Sequence, residues 1–127
     1  MQLRFGRIAI AVVLAEILGV GALALIVFLT APPGTQEEIQ HYAEGLGQYV
    51  GPISGFVLCI LGGWWVARAA VPGSRFVNGL AMGIAAALLD LAIGLAISPA
   101  FSMLLIYSNA GRIVGGAIGG WIASRGT

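Results

Sequence analysis

Apolar residues run almost without interruption from 8 to 31, 49 to 67, 76 to 97 and 100 to 123, and polar residues collect between these runs. A helix needs about 20 residues to cross a hydrocarbon core of about 30 Å, and each run is about that long. The pattern predicts an all-α membrane protein whose four transmembrane helices form an antiparallel bundle within a single integral membrane domain, 1–127. The stretch "VPGSR" turns the chain between the second and third runs. Ser98 and Pro99 suit the start of the fourth, as an N-cap and a first-turn proline. The first run exceeds the roughly 7–15 apolar residues of a signal peptide, so it is expected to stay as a helix.

The pattern changes between 32 and 48. Thr35 and Glu38 have the spacing of a capping box, in which each side chain satisfies a free backbone donor of the other residue. Ile39, Tyr42, Ala43 and Leu46 then recur at helical spacing, while Glu37, Glu38, His41 and Glu44 take other faces. A short amphipathic helix over 36–46 is expected, lying on the membrane surface in the first extracytoplasmic loop.

Composition agrees with the pattern: 59% of the 127 residues are hydrophobic and 9% charged, far below the quarter typical of soluble domains. The net charge of +1, with no lysine and no basic run, gives nucleic acid nothing to bind. Arg4, Arg7, Arg68, Arg75 and Arg125 all fall on one side of a four-span topology, and Glu37, Glu38 and Glu44 fall on the other. The positive-inside rule then places both termini in the cytoplasm, as in a bacterial inner membrane, with Trp64, Trp65 and Trp121 as interfacial anchors at that end. A single cysteine, Cys59, and a single histidine, His41, leave no basis for a disulfide, a multi-cysteine metal site or paired haem ligands. With no nucleophile–base set and no phosphate loop, neither catalysis nor a cofactor is expected.

The candidate chemistry lies inside the spans. Glu16, Asp90 and Arg112 each cost about 2.5–3.5 kcal/mol at the centre of a spanning helix, so they should face inward and find one another. Folding the last two helices about Pro99 brings Asp90 opposite Ser108 and Asn109, one turn from Arg112. Asp90–Arg112 is therefore the expected pair, with Ser108 and Asn109 as hydrogen-bond partners. Glu16 becomes either a second partner or the uncompensated carboxylate, and with all three ionised the cluster carries −1. The charges ride on small-residue stripes: Gly79, Gly83, Ala86, Asp90 and Gly94 in the third run, and Gly111, Gly115 and Gly119 in the fourth. Gly51 and Gly55 repeat that spacing in the second. Such spacing lets helix backbones approach closely, within a chain or between subunits.

The hexapeptide "LAEILG" around Glu16 resembles the first-helix signature of the small multidrug resistance transporters. That resemblance implies four helices and a membrane glutamate that exchanges protons for cationic drugs. It covers residues 14–19 only. The long acidic segment after the first span, the intramembrane Arg112 and the one-sided arginines all depart from that family's pattern, so it serves as a pointer to Glu16 alone.

Two functions fit these features. One is an oligomeric proton- or ion-coupled permeation unit for a small solute, with Glu16 and Asp90 binding the proton or ion and Arg112 as counter-charge or anion contact. The other is a non-transporting accessory subunit that packs glycine-rich faces onto a larger membrane protein in the bilayer.

Overall fold

The computed structural model describes residues 2–97 and 103–125. Among these the chain forms four long helices, α1 (Phe5–Thr30), α2 (Gln36–Arg68), α3 (Arg75–Ile97) and α4 (Met103–Arg125), with one 3-10 turn (Pro72–Ser74) ahead of α3. No described residue is in a strand. Phe5–Thr30, Gln36–Arg68 and the stretch Pro72–Ile97 are long and apolar enough to cross a membrane. By the same measure α4 is diluted by Gly111, Gly115, Gly116, Gly119 and Gly120, together with Ser108, Asn109 and Arg112. Its position explains the difference: α4 is flanked by α2 and α3, its glycines, Ser108 and Arg112 are mostly buried, and its composition is tuned to helices more than to lipid.

One expected boundary is corrected. Residues 36–46 do not form a separate surface helix; they are the first three turns of α2, a single helix of 33 residues and roughly 50 Å. Thr35 caps it: the Glu38 amide donates to Thr35 Oγ1 at 3.2 Å, one half of the expected box, and that hydroxyl donates to Glu38 Oε1 at 3.2 Å. The physical reason for continuity is that the apolar face of this segment meets protein. Ile39 and Ala43 face Val27, Phe28 and Ala31 of α1 across an apolar crevice of about 610 Å³, and Thr30 Oγ1 and Tyr42 Oη share a hydrogen bond of 2.8 Å.

α1 and α2 run antiparallel in a fixed register. Arg7 meets Trp65 at one end and Thr30 meets Tyr42 at the other, and the paired residue numbers total 72 in both cases. α3 and α4 are also antiparallel, with Gly120 against Phe76 at one end and Gly94 against Leu105 near the other. The expected turn about Pro99, with Ser98 and the first residues of the expected fourth run, lies outside the described residues. α2 and α4 are parallel neighbours, Gly115 lying on Phe56 and Gly119 on Ile60.

The contact between α3 and α4 is a meeting of backbones. A side chain on Gly116 would reach the Gly79 carbonyl oxygen at 2.5 Å and the Gly83 Cα at 2.7 Å. Gly115 and Gly119 do the same on the adjacent face of α4, against the Phe56 and Ile60 carbonyls of α2. Two glycine stripes one residue apart thus let α4 sit close against two helices at once. Gly111, expected in the same stripe, has only ordinary contact with Phe56 Cβ at 3.9 Å, so the tight packing begins one turn later.

α1 is the loosest member. It is apolar all round, and only Ile8, Ala11 and Val12 are buried, all near its start. That end is pinned by Asn78, whose side chain is fully buried in α3. Asn78 Oδ1 accepts from the Arg4 amide at 2.7 Å, and its Nδ2 donates to the Gln2 and Ser74 carbonyls at 2.8 Å each. The same end of the bundle gathers three arginine–tryptophan stacks, Arg7 on Trp65, Arg68 on Trp64 and Arg125 on Trp121, at 3.8, 4.7 and 4.9 Å. Cys59, Val66, Met82 and Ala86 join the buried α1 residues to form the apolar core between this end and the charges.

Candidate functional site

Arg112 occupies the middle of the bundle with only 8% of its surface exposed. Its three guanidinium nitrogens go to three different groups. Nε donates to Glu16 Oε1 of α1 at 3.2 Å. Nη2 lies 3.3 Å from Asp90 Oδ1 of α3. Nη1 donates to Ser108 Oγ, one turn earlier on α4, at 2.5 Å, and approaches the Ser108 carbonyl at 3.5 Å. A planar fork with five N–H donors suits this arrangement; a lysine ammonium has no such fan of directions.

α2 contributes a space. A Cβ on Gly55 would lie 2.8 Å from Arg112 Cζ and 3.0–3.1 Å from its terminal nitrogens, so the guanidinium rests against bare backbone there. All four helices therefore meet at one side chain. Sequence spacing marked Gly55 only as a packing glycine; nothing in one dimension ties it to Arg112.

The expected Asp90–Arg112 pair is present, and Glu16 joins it as a second partner. Packing places both carboxylates within reach of one guanidinium. Parallel packing of α1 and α3 explains this. Arg4 is level with Asn78, an offset of 74, and the same offset carries Glu16 to Asp90. Asn109 does not join the cluster among the contacts described: its Nδ2 donates to the Leu105 carbonyl at 2.8 Å within α4. Its buried Oδ1 has no partner among the described residues. Gly79 and Gly83 pack on α4 beside the site, and the Cβ position of Gly83 points at the Arg112 carbonyl oxygen from 2.6 Å.

A crevice of about 230 Å³ reaches the cluster from the half of the bundle that leads toward Glu37, Glu38 and Glu44. Gly47, Gly51 and Pro52 line it from α2, Asp90 from α3, and Ser108 and Arg112 from α4 beside two leucines. Gly51 helps leave it open, since nothing lies within 4 Å of a Cβ there. Pro52, inside α2, has no N–H for the Gln48 carbonyl, which adds an acceptor without its usual helical donor at the same level. Glu16 does not line this space, and its side chain is 16% exposed against 23% for Asp90. The two carboxylates thus share one guanidinium but differ in access. On the opposite side the apolar core, with Cys59, Met82 and Ala86 fully buried, separates the cluster from the arginine-rich end.

Chemically, one permanent cation faces two carboxylates. Loss of either contact leaves the guanidinium a second acceptor, so Arg112 stays paired while the released carboxylate must take up a proton or a cation to avoid being a bare buried charge. No protein-family model, curated protein or solved structure matches this chain.

Proposed function

We propose that this chain is a four-span membrane protein, with both termini on the cytoplasmic side of a bacterial inner membrane, that acts as an oligomeric proton- or ion-coupled permeation unit for a small solute. The observation that carries the reading is the sharing of Arg112 by Glu16 and Asp90, at 3.2 and 3.3 Å, with a crevice leading to one of them. Ionisable side chains at membrane depth line ion and proton pathways more often than they serve packing alone. In this reading, binding of a proton or small cation at Asp90 frees Arg112 to close fully on Glu16, and its release restores the shared state. Four helices packed this closely enclose little space, so a complete solute path is assigned to more than one copy.

The test is solute and proton flux in proteoliposomes, comparing the native chain with Glu16→Gln and Asp90→Asn. Flux that depends on both carboxylates supports the reading; flux unchanged in both variants refutes it.

A non-transporting accessory role is the second reading, and one observation favours it: Arg112 touches residues of all four helices, as a purely structural clasp would. The glycine faces of α3 and α4 are already engaged inside the chain, so a partner would have to dock elsewhere, with the exposed outer half of α1 the obvious surface. Under this reading a second membrane protein co-purifies after mild extraction, and no flux is seen with the purified chain alone.

A further inference from the structure

We infer that the crevice ending at Asp90 is a cation-selective vestibule, a site for a small hydrated monovalent cation that excludes anions although its end wall is an arginine. This rests on the reading of the Glu16–Asp90–Arg112 cluster as the working site, and it adds the sign of the ligand and the side from which it arrives. Asp90, Glu16 and Arg112 together carry −1 when ionised, and Cys59 is the only other titratable side chain of the adjoining α2 core.

The guanidinium offers little to an incoming anion, because its nitrogens already reach Glu16, Asp90 and Ser108. Asp90 presents its carboxylate to the space, while Gly47, Gly51 and Pro52 of α2 line it without a cationic group. Further out on α2, Glu44 stands one turn before Gly47 and Glu37 two turns beyond that, while every arginine other than Arg112 belongs to the opposite end. The lining itself holds one charge of each sign, Asp90 and Arg112, and the net negative field comes from Glu16 behind them and the glutamates further out; a low-dielectric cleft focuses such a field and concentrates cations. At about 30 Å³ per water, the crevice has room for an ion with part of its hydration shell.

The experiment places a cysteine in the wall and reads its chemistry. Gly51→Cys is chosen because a side chain there meets nothing within 4 Å, and Cys59→Ala removes the native thiol. The full-length double variant is reconstituted in liposomes. It is treated from the outside with membrane-impermeant thiosulfonates, one bearing a trimethylammonium group and one a sulfonate. The cationic reagent should react about tenfold or more faster, the lower end of what a focused field gives. Asp90→Asn should bring the two rates close together, and added sodium or methylammonium should slow the cationic reaction.

Equal rates, a faster anionic reagent, or no labelling by either would overturn the inference. Arg7→Cys in the same background, at the opposite end, should show no such dependence on Asp90; equal dependence there would also overturn it. Labelling is independent of flux. Selective labelling with no flux leaves the vestibule standing and removes the transport reading, and flux with unselective labelling does the reverse.

Discussion

Two glycine-to-alanine changes five residues apart on α4 should have opposite consequences. At Gly116 the added methyl would sit 2.5 Å from the Gly79 carbonyl oxygen and 2.7 Å from Gly83 Cα and N, all of them backbone atoms of α3. Optimal separations between such atoms are about 3.5–4.0 Å, so α3 and α4 must part by roughly 1 Å. A gap of that size forfeits a quarter to a half of each dispersion contact along the seam, and overpacking of this kind costs about 1–3 kcal/mol. The damage should extend to the site, since Gly83 also lies against the Arg112 carbonyl, seven residues before Asp90 on the same helix. At Gly111 the added methyl would find Phe56 Cβ at 3.9 Å, an ordinary contact, and the helix gains up to about 1 kcal/mol in propensity. Because the propensity gain is common to both sites, the two variants should differ by the overpacking cost, about 1–3 kcal/mol, in reversible unfolding by denaturing detergent in mixed micelles. Equal stabilities would refute the argument, because they would mean that α3 and α4 are not in backbone contact where Gly116 stands.

Arg112→Met should destabilise the fold by about 3–5 kcal/mol by leaving Glu16 and Asp90 as unpaired buried carboxylates, and adding Glu16→Gln and Asp90→Asn should recover most of that loss in the same unfolding assay. If the triple variant is no more stable than Arg112→Met, the charges are not what couples these helices. Asn78→Ala removes the anchor of α1 and should speed amide hydrogen exchange at the start of that helix by roughly tenfold or more, the effect of losing buried hydrogen bonds worth about 1–3 kcal/mol; unchanged exchange would show that apolar packing alone holds α1. Gly55→Leu should push the guanidinium off α2 and abolish carboxylate-dependent flux, whereas Gly45→Leu, at a position with nothing within 4 Å, should leave both flux and yield near native levels.

The class of the fold was legible in one dimension because the bilayer imposes a length on every crossing helix, and four apolar runs of about 20 residues announce it. Helical character and three membrane-length helices follow directly. Asp90–Arg112 was legible as well, since a short connection between adjacent antiparallel helices leaves few registers to choose from. Other features depend on contacts between residues far apart in the chain, which periodicity does not encode. The segment 36–46 reads as a surface helix by its pattern, yet it continues α2 because the end of α1 stands beside it. Glu16 joins Arg112 only through the parallel packing of α1 on α3, which Asn78 fixes from 74 residues away. Gly55 looked like any other packing glycine until the fold set the guanidinium against it. Charged groups had to meet inside a helical bundle whatever its packing, because a bilayer penalises each of them alone. Which groups share the arginine, and which of them a crevice reaches, follows from the packed bundle, because register and helix neighbours arise from shape complementarity among glycine-lined surfaces.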